Sequence, residues 1–279
     1  MRQLQHYDWD VTIVNAKAVV ERGFKCGCQG MVDWEIFLIA APAVIFAGLS
    51  KGGFGSGAAF ASSSILALVI EPGQALGIIL PLLMLIDVAT LRPYWRKCSL
   101  PDARVLIFGA VPGVMLGMWL YQVADADVFR LLIGAVCLAF VSWQLGLKLS
   151  LIRPPGREMP VWGGMLAGLT AGFTSFVSHA GGPPAAVYLL SRGLSKTPFQ
   201  ATTVLVFWVV NIVKFVPYAF LGIFTAQTLL LDLILAPFAV LGAWLGVRAH
   251  HMVPERLFFG LTYVLLSLTG VKLIWDALV

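Results

Sequence analysis

Long apolar runs constrain this chain more than any other feature. They cover residues 105–120, 131–147, 201–224, 229–247 and 257–275. A bilayer core of about 30 Å needs roughly 20 helical residues, and somewhat shorter runs suffice with flanking anchors. The runs are continuous and rich in Leu, Ala and Gly, whereas the strands of a membrane barrel would alternate in polarity. Charged residues make up only 12% of the chain, against about 25% in soluble domains, too few to cover a soluble surface. The class that follows is an all-α polytopic membrane protein.

The formal net charge of +5 is spread over short loops. No basic run resembles a nucleic-acid patch, so these Lys and Arg residues read as orientation signals. Cys26 and Cys28 stand too close for an easy disulfide and have no second pair for zinc. Cys137 lies in an apolar run and Cys98 in a loop, so no disulfide framework is implied. No metal site or cofactor is expected. Residues 1–30 have mixed charge and no signal-peptide core. They read as an extension, disordered or outside the native chain, with Met31 as the functional start. The competing reading is a short amphipathic helix on the membrane surface.

The chain repeats itself. "DVATLRPYW" at 87–95 matches "NIVKFVPYA" at 211–219, offset 124, which sets Asp87 on Asn211 and Tyr94 on Tyr218. "PGVMLGMWL" at 112–120 matches "PFAVLGAWL" at 237–245, offset 125, and "FRLLIG" at 129–134 matches "ERLFFG" at 255–260, offset 126. Ala47-Gly48 and Ala171-Gly172 each lead into a glycine-rich break. Four matches in the same order indicate a duplication. The expected organisation is a first membrane repeat over 31–150, a cytoplasmic linker over 151–160 and a second repeat over 161–279.

Positive residues fix the orientation. The loop at 92–104, the linker with Lys148, Arg153 and Arg157, the pair Arg192 and Lys196, and Arg248 with Arg256 belong on the cytoplasmic side. The loops at 121–127 and 222–228 contain no Lys or Arg and belong outside. Each half then has a broken hairpin and three full spans. Because three is odd, the second half is inverted relative to the first, as in many secondary transporters. This gives about eight spans and up to ten helical segments. Whether the hairpins dip halfway or cross fully stays open.

The breaks are "GLSKGGFGSGAAF" at 48–60 and "GFTSFVSHAGGPPAAVYLL" at 172–190. Gly181, Gly182, Pro183 and Pro184 cannot continue a regular helix. Unwound backbone at membrane depth is tolerated where protein or a wet cavity surrounds it. Half-helices starting near Ser56 and Pro184 would aim N–H groups and partial positive charge at an anion. Lys51, Gly52, Gly53, Gly55, Ser56, Ser178, His179, Gly181 and Gly182 are therefore candidate binding residues, with Gly57 and Ser175 beside them. The alternative is that the glycines serve close packing.

Asp87 and Thr90 share one helix face, as do Asn211 and Lys214, and Tyr94 and Tyr218 extend those faces. Lys214 lies about 21 Å into its span, where a charge usually pairs or faces a pathway. Asn211 and Lys214 join the candidate site. Asp87 is either a coupling residue or the partner of Lys214 in an ion pair joining the halves. Lys51 faces either cargo or an acidic partner. His179 is either a proton relay or a hydrogen-bonded core group.

On "GLSKGGFGSG", "LPLLMLIDVATLRPYW" and "GFTSFVSHAGGPPAAVYLLSRGLSKTPFQATTVLVFWVVNIVKF", the chain resembles the TauE/SafE family of sulfite exporters over about residues 31–279. The resemblance implies export of a small sulfur-containing or organic anion, such as sulfite, sulfoacetate or another sulfonate, from a bacterial cytoplasmic membrane. The alternative is a proton-coupled importer of a small organic anion, using Asp87 or His179. Expected partners are that anion and membrane lipid, with a homodimer open and no nucleic acid. An intramembrane enzyme is disfavoured: adjacent Ser178 and His179 would point about 100° apart on a helix. Ser56 also lacks a G-x-S-G setting, because Phe54 replaces the first Gly. No pair of intramembrane histidines exists for haem, since only His179 among His6, His179, His250 and His251 falls in a span region. No catalytic residue is assigned.

Overall fold

The computed structural model describes residues 34–54, 59–94, 96–151, 158–249 and 255–279. Residues 1–30, Met31, Gly55, Ser56 and Gly57, and most of the linker, lie outside the described residues. The described chain is helical, in the order α1 (Trp34–Leu49), a π-helical segment (Ser50–Phe54), α2 (Ala61–Leu66), α3 (Pro72–Tyr94), α4 (Leu100–Val123) and α5 (Ala126–Lys148). The second half follows as α6 (Val161–Ser178), α7 (Gly182–Ser191), α8 (Lys196–Phe220), α9 (Ala226–Ala249) and α10 (Glu255–Leu278). Eight segments are long and apolar enough to cross a membrane, the first being α1 continued through the π segment. The remaining two, α2 and α7, have six and ten residues. They rise only about 9 and 15 Å, half the hydrocarbon core or less. The hairpins are therefore re-entrant, each with one long and one short arm.

Close contacts give the helix directions. A Cβ added at Gly48 would lie 2.6 Å from the Ala243 nitrogen, and one at Gly52 would lie 2.6 Å from the Ala243 oxygen with Val247 next. Gly242 in turn faces Ile45. Residue numbers rise together, so α1 and α9 run parallel. In the same way Gly109, Gly113 and Gly117 of α4 meet Met165, Leu169 and Phe176 of α6, so α4 and α6 run parallel. By contrast, Gly134 of α5 meets Ile274 of α10 while Phe140 stacks edge-on against Tyr263, so α5 and α10 run antiparallel. Short connections reverse the chain from α4 to α5 and from α9 to α10. It follows that α4 opposes α9 and that α6 opposes α1. The halves are inverted, as the loop charges indicate.

The pseudo-two-fold axis can be located on the sequence. Along α3 and α8, Gly77 meets Ile223 just past the end of α8, Asp87 meets Asn211, and Tyr94 clusters with Ala201 and Val204. These pairs descend against each other, so the two helices are antiparallel. A residue that touches its own counterpart in the other half lies on the axis, and at offset 124 that residue is Asp87, bonded to Asn211.

Packing crosses between the halves. The long arm of each hairpin is zipped onto the second full span of the other half, α1 on α9 and α6 on α4. Glycines spaced by four line both seams: Gly48 and Gly52 against Gly242 and Gly246, and Gly109, Gly113 and Gly117 against Gly164, Gly168 and Gly172. Water-driven burial is weak inside lipid, so helices associate through such close backbone approach. Gly52 and Gly53 are therefore accounted for by packing on α9, where a Cβ at Gly53 would lie 2.5 Å from the Gly246 oxygen.

Candidate functional site

The two breaks meet on the axis and form a buried polar cluster. Lys51 sits in the π segment, which adds a wide turn to the end of α1; such insertions recur at functional sites. Its ammonium lies 2.5 Å from Asp87 Oδ1. The two groups form a buried ion pair, and Lys51 is the contact that Oδ1 makes. Asp87 Oδ2 accepts from Asn211 Nδ2 at 2.7 Å. Asp87 thus pairs with Lys51 in its own half, and the Asp87–Lys214 ion pair open in the sequence is not formed. The Lys51 backbone is anchored from the other half, where Gln200 Nε2 donates to its carbonyl at 2.5 Å.

Lys214 is fully buried. Its ammonium donates to the Ser175 carbonyl at 2.9 Å and to His179 Nδ1 at 2.8 Å. With Nδ1 accepting, Nε2 carries the proton of a neutral imidazole and donates to the Leu76 carbonyl at 3.3 Å. His179 caps α6 in the left-handed region, φ 58°. This turns the chain into the break and directs the ring inward. Such a backbone costs a non-glycine residue about 1–2 kcal/mol, which the three ring and ammonium contacts offset.

The duplication is visible in these bonds. Tyr94 donates to the Gly52 carbonyl at 2.8 Å, and its counterpart Tyr218 donates to the Phe176 carbonyl at 2.6 Å, also offset by 124. Each tyrosine ties a long helix to the break of its own hairpin. The hairpin tips are joined by Ser63, which donates to the Ser178 carbonyl at 2.9 Å.

Two expectations about the breaks change. The first short arm begins at Ala61 rather than near Ser56, because the π segment carries the helix on through Phe54. With six residues and buried serines bonded to their own turn, α2 is not an N-terminal anion seat. The second begins at Gly182, two residues before Pro184. Gly181 lies against Phe207 and the Ala171 carbonyl, where a Cβ would come within 2.6 Å. Ser178 Oγ donates to Thr174 O within its own helix, and both His179 nitrogens are engaged elsewhere. These two residues do not form a nucleophile–base pair.

Lys51, Asp87, Ser178, His179, Asn211 and Lys214 are therefore brought together or buried beside one another, and Gly182 is buried at the start of α7, while Gly55 and Ser56 lie outside the described residues. Gln200 and Ser63 belong to the cluster and were not singled out in the sequence. The signal for Gln200 was available: it is a lone amide at the start of an apolar span. Lys51, Asp87, Ser63, Ser178, His179, Gln200, Asn211 and Lys214 are each 6% exposed or less, so in this conformation the cluster is sealed from solvent. At the end of the molecule where the loop charges gather, Arg192 after α7 bonds Asp102 of α4 at 2.9 Å and Glu158 before α6 at 2.6 Å. Tyr188 and Ser99 also donate to Asp102. The short arm of the second hairpin is thereby fixed to the α4–α6 seam.

Inverted repeats whose re-entrant hairpins meet at a buried, charged cluster on the symmetry axis define a multi-pass membrane protein of the transporter class. A family model described as Sulfite exporter TauE/SafE matches residues 29–273, and the chain belongs to that family. Searches of curated proteins and of solved structures return no match.

Proposed function

We propose that this protein is a secondary transporter of a small anion, sulfite or an organosulfonate, in the bacterial cytoplasmic membrane, with export as the favoured direction. One observation carries the reading: of two buried lysines in the cluster, only one is paired with a carboxylate. Lys51 is matched by Asp87. The bonded partners of Lys214 among the described residues, a carbonyl and an imidazole nitrogen, bear no negative charge. An uncompensated charge at membrane depth is costly, and a bound anion would relieve it. The family description, sulfite exporter, supports the same cargo class. Export of an anion is assisted by an inside-negative potential by about 2.3 kcal/mol per charge per 100 mV, so it requires no nucleotide.

Alternating access then involves the zipped pairs α1–α9 and α4–α6, each taking one helix from either half. A proton-coupled importer is the second reading, favoured by the buried carboxylate of Asp87 beside Lys51. The test is flux of radiolabelled sulfite and 2-hydroxyethanesulfonate in proteoliposomes of defined potential. Flux out of the positively charged side of the pore, accelerated by the potential, is expected. Uptake that needs a proton gradient would replace export with import, and no flux above protein-free liposomes would remove the transporter reading.

A further inference from the structure

The charge count of the buried cluster specifies the charge of the cargo. With both ammonium groups protonated, as they are when an anion is bound beside them, buried Lys51 and Lys214 contribute two positive charges and the Asp87 carboxylate paired with Lys51 one negative. His179 is neutral, because its Nδ1 accepts from Lys214 and its Nε2 is on the Leu76 carbonyl. The sum is one positive charge. Of the elements packed on α3, the π segment brings Lys51 and α8 brings Asn211 and Lys214. On α9, Asp232 is buried without a hydrogen-bond partner among the described residues. It lies eleven residues before Ala243, the neighbour of Gly52, about 16 Å along the helix, and so at another depth.

We propose that the sealed site is built for a monovalent oxyanion, and that Asp87 is the residue that sets this valence. The inference rests on the anion-transport reading above. Its basis is an asymmetry on the axis. The duplication places a carboxylate at 87 and its neutral isostere, the amide of Asn211, at the matching position, and the two are bonded to each other. Two carboxylates there would cancel both lysines and leave nothing for an anion to neutralise. Two amides would leave two positive charges and suit a dianion. One of each leaves a single positive charge. A monoanion makes the sealed cluster neutral, whereas a dianion buries one excess negative charge beside Asp87, at a cost of the kind that uncompensated buried ions incur. Lys214 is the seat of the added charge: two of its three donors are used among the described residues, on Ser175 O and His179 Nδ1.

The hydrogensulfite ion and simple alkanesulfonates, each singly charged, therefore fit. Sulfite in its doubly charged form, and sulfoacetate with its added carboxylate, do not. The experiment uses the full chain in proteoliposomes, with 2-hydroxyethanesulfonate as the monovalent probe and sulfoacetate as the divalent probe of similar size. Wild-type protein is expected to carry the first at least about tenfold faster than the second. Sulfite flux should fall as pH rises through its second ionisation, while 2-hydroxyethanesulfonate flux stays level. In Asp87→Asn the cluster gains a charge, and the ratio should move toward sulfoacetate by at least about tenfold. Comparable wild-type rates for both probes overturn the inference, as does an unchanged ratio in a folded Asp87→Asn. Should that variant fail to fold, the wild-type ratio and the sulfite pH profile decide alone. Anion flux without valence preference refutes this inference and spares the transporter reading; absence of any anion flux refutes both.

Discussion

Lys214→Met removes the charge that no carboxylate matches while keeping a side chain of similar length in its slot. Two opposing effects set the stability. The Ser175 carbonyl and His179 Nδ1 lose their donor, at about 1–3 kcal/mol for each buried group left unsatisfied. Against this, a fully buried ammonium no longer has to be desolvated, which is worth several kcal/mol in the other direction. The two effects are of similar size, so the variant is expected to insert, purify as wild type and unfold within a few degrees of it. The effect on anion binding is one-sided. A unit charge about 4 Å from the ammonium gains roughly 4 kcal/mol at an effective dielectric of about 20, which corresponds to nearly a thousandfold in affinity. Binding of 2-hydroxyethanesulfonate to protein in detergent, measured by calorimetry, together with its proteoliposome flux, reads this directly. A folded Lys214→Met with wild-type affinity and wild-type concentration dependence of flux would assign Lys214 to structure alone.

Three further outcomes follow from the same geometry. Lys51→Met leaves Asp87 buried without its cation and should cost about 3–5 kcal/mol; adding Asp87→Asn should restore much of the thermal stability, and a double variant no better than the single would contradict the pairing. Gly48→Leu drives side-chain atoms into the α9 backbone and should destabilise by at least about 1–3 kcal/mol, whereas Gly260→Ala, with open space around it, should be neutral or slightly stabilising, as read from thermal unfolding in detergent. In a Cys26→Ser, Cys28→Ser background, a membrane-impermeant maleimide should label the partly exposed Cys98 from the cytoplasmic side of oriented vesicles only; labelling from outside would reverse the topology.

The sequence made the frame legible, because both the spans and the duplication depend on long-range pattern. Offsets of 124–126 and the loop charges were enough to infer the inversion that the α1–α9, α4–α6 and α5–α10 contacts display. The match of Asp87 with Asn211 was readable too, although nothing local says that counterparts meet on an axis. The partner of Asp87 was not readable. Lys51 and Lys214 were both candidates for membrane depth, and which ammonium arrives depends on how far α1 continues before it breaks. A π segment settled that by extending the helix through Phe54, and a π turn has no composition signature that separates it from an unwound glycine loop. The glycines were weighed as exposed backbone, but their spacing of four along 48–52, 109–117 and 164–172 points to seams. That spacing is the commonest sign of close helix packing in membranes, and it explains Gly52 and Gly53 better than a ligand does.

The crossed seams also impose a timetable on assembly. The α4–α6 seam joins residues about sixty apart, such as Gly109 and Met165 or Ala110 and Gly172, so it can close soon after the first half is made. The α1–α9 seam joins Gly48 to Ala243, and at about 5–20 residues per second the first hairpin waits roughly 10–40 s for the helix that seats it. Until then its glycine face and Lys51 have no partner from α9 or α8. A chain ended before residue 226 should be recognised by quality-control proteases through that unseated N-terminal hairpin, although every residue of the hairpin is present.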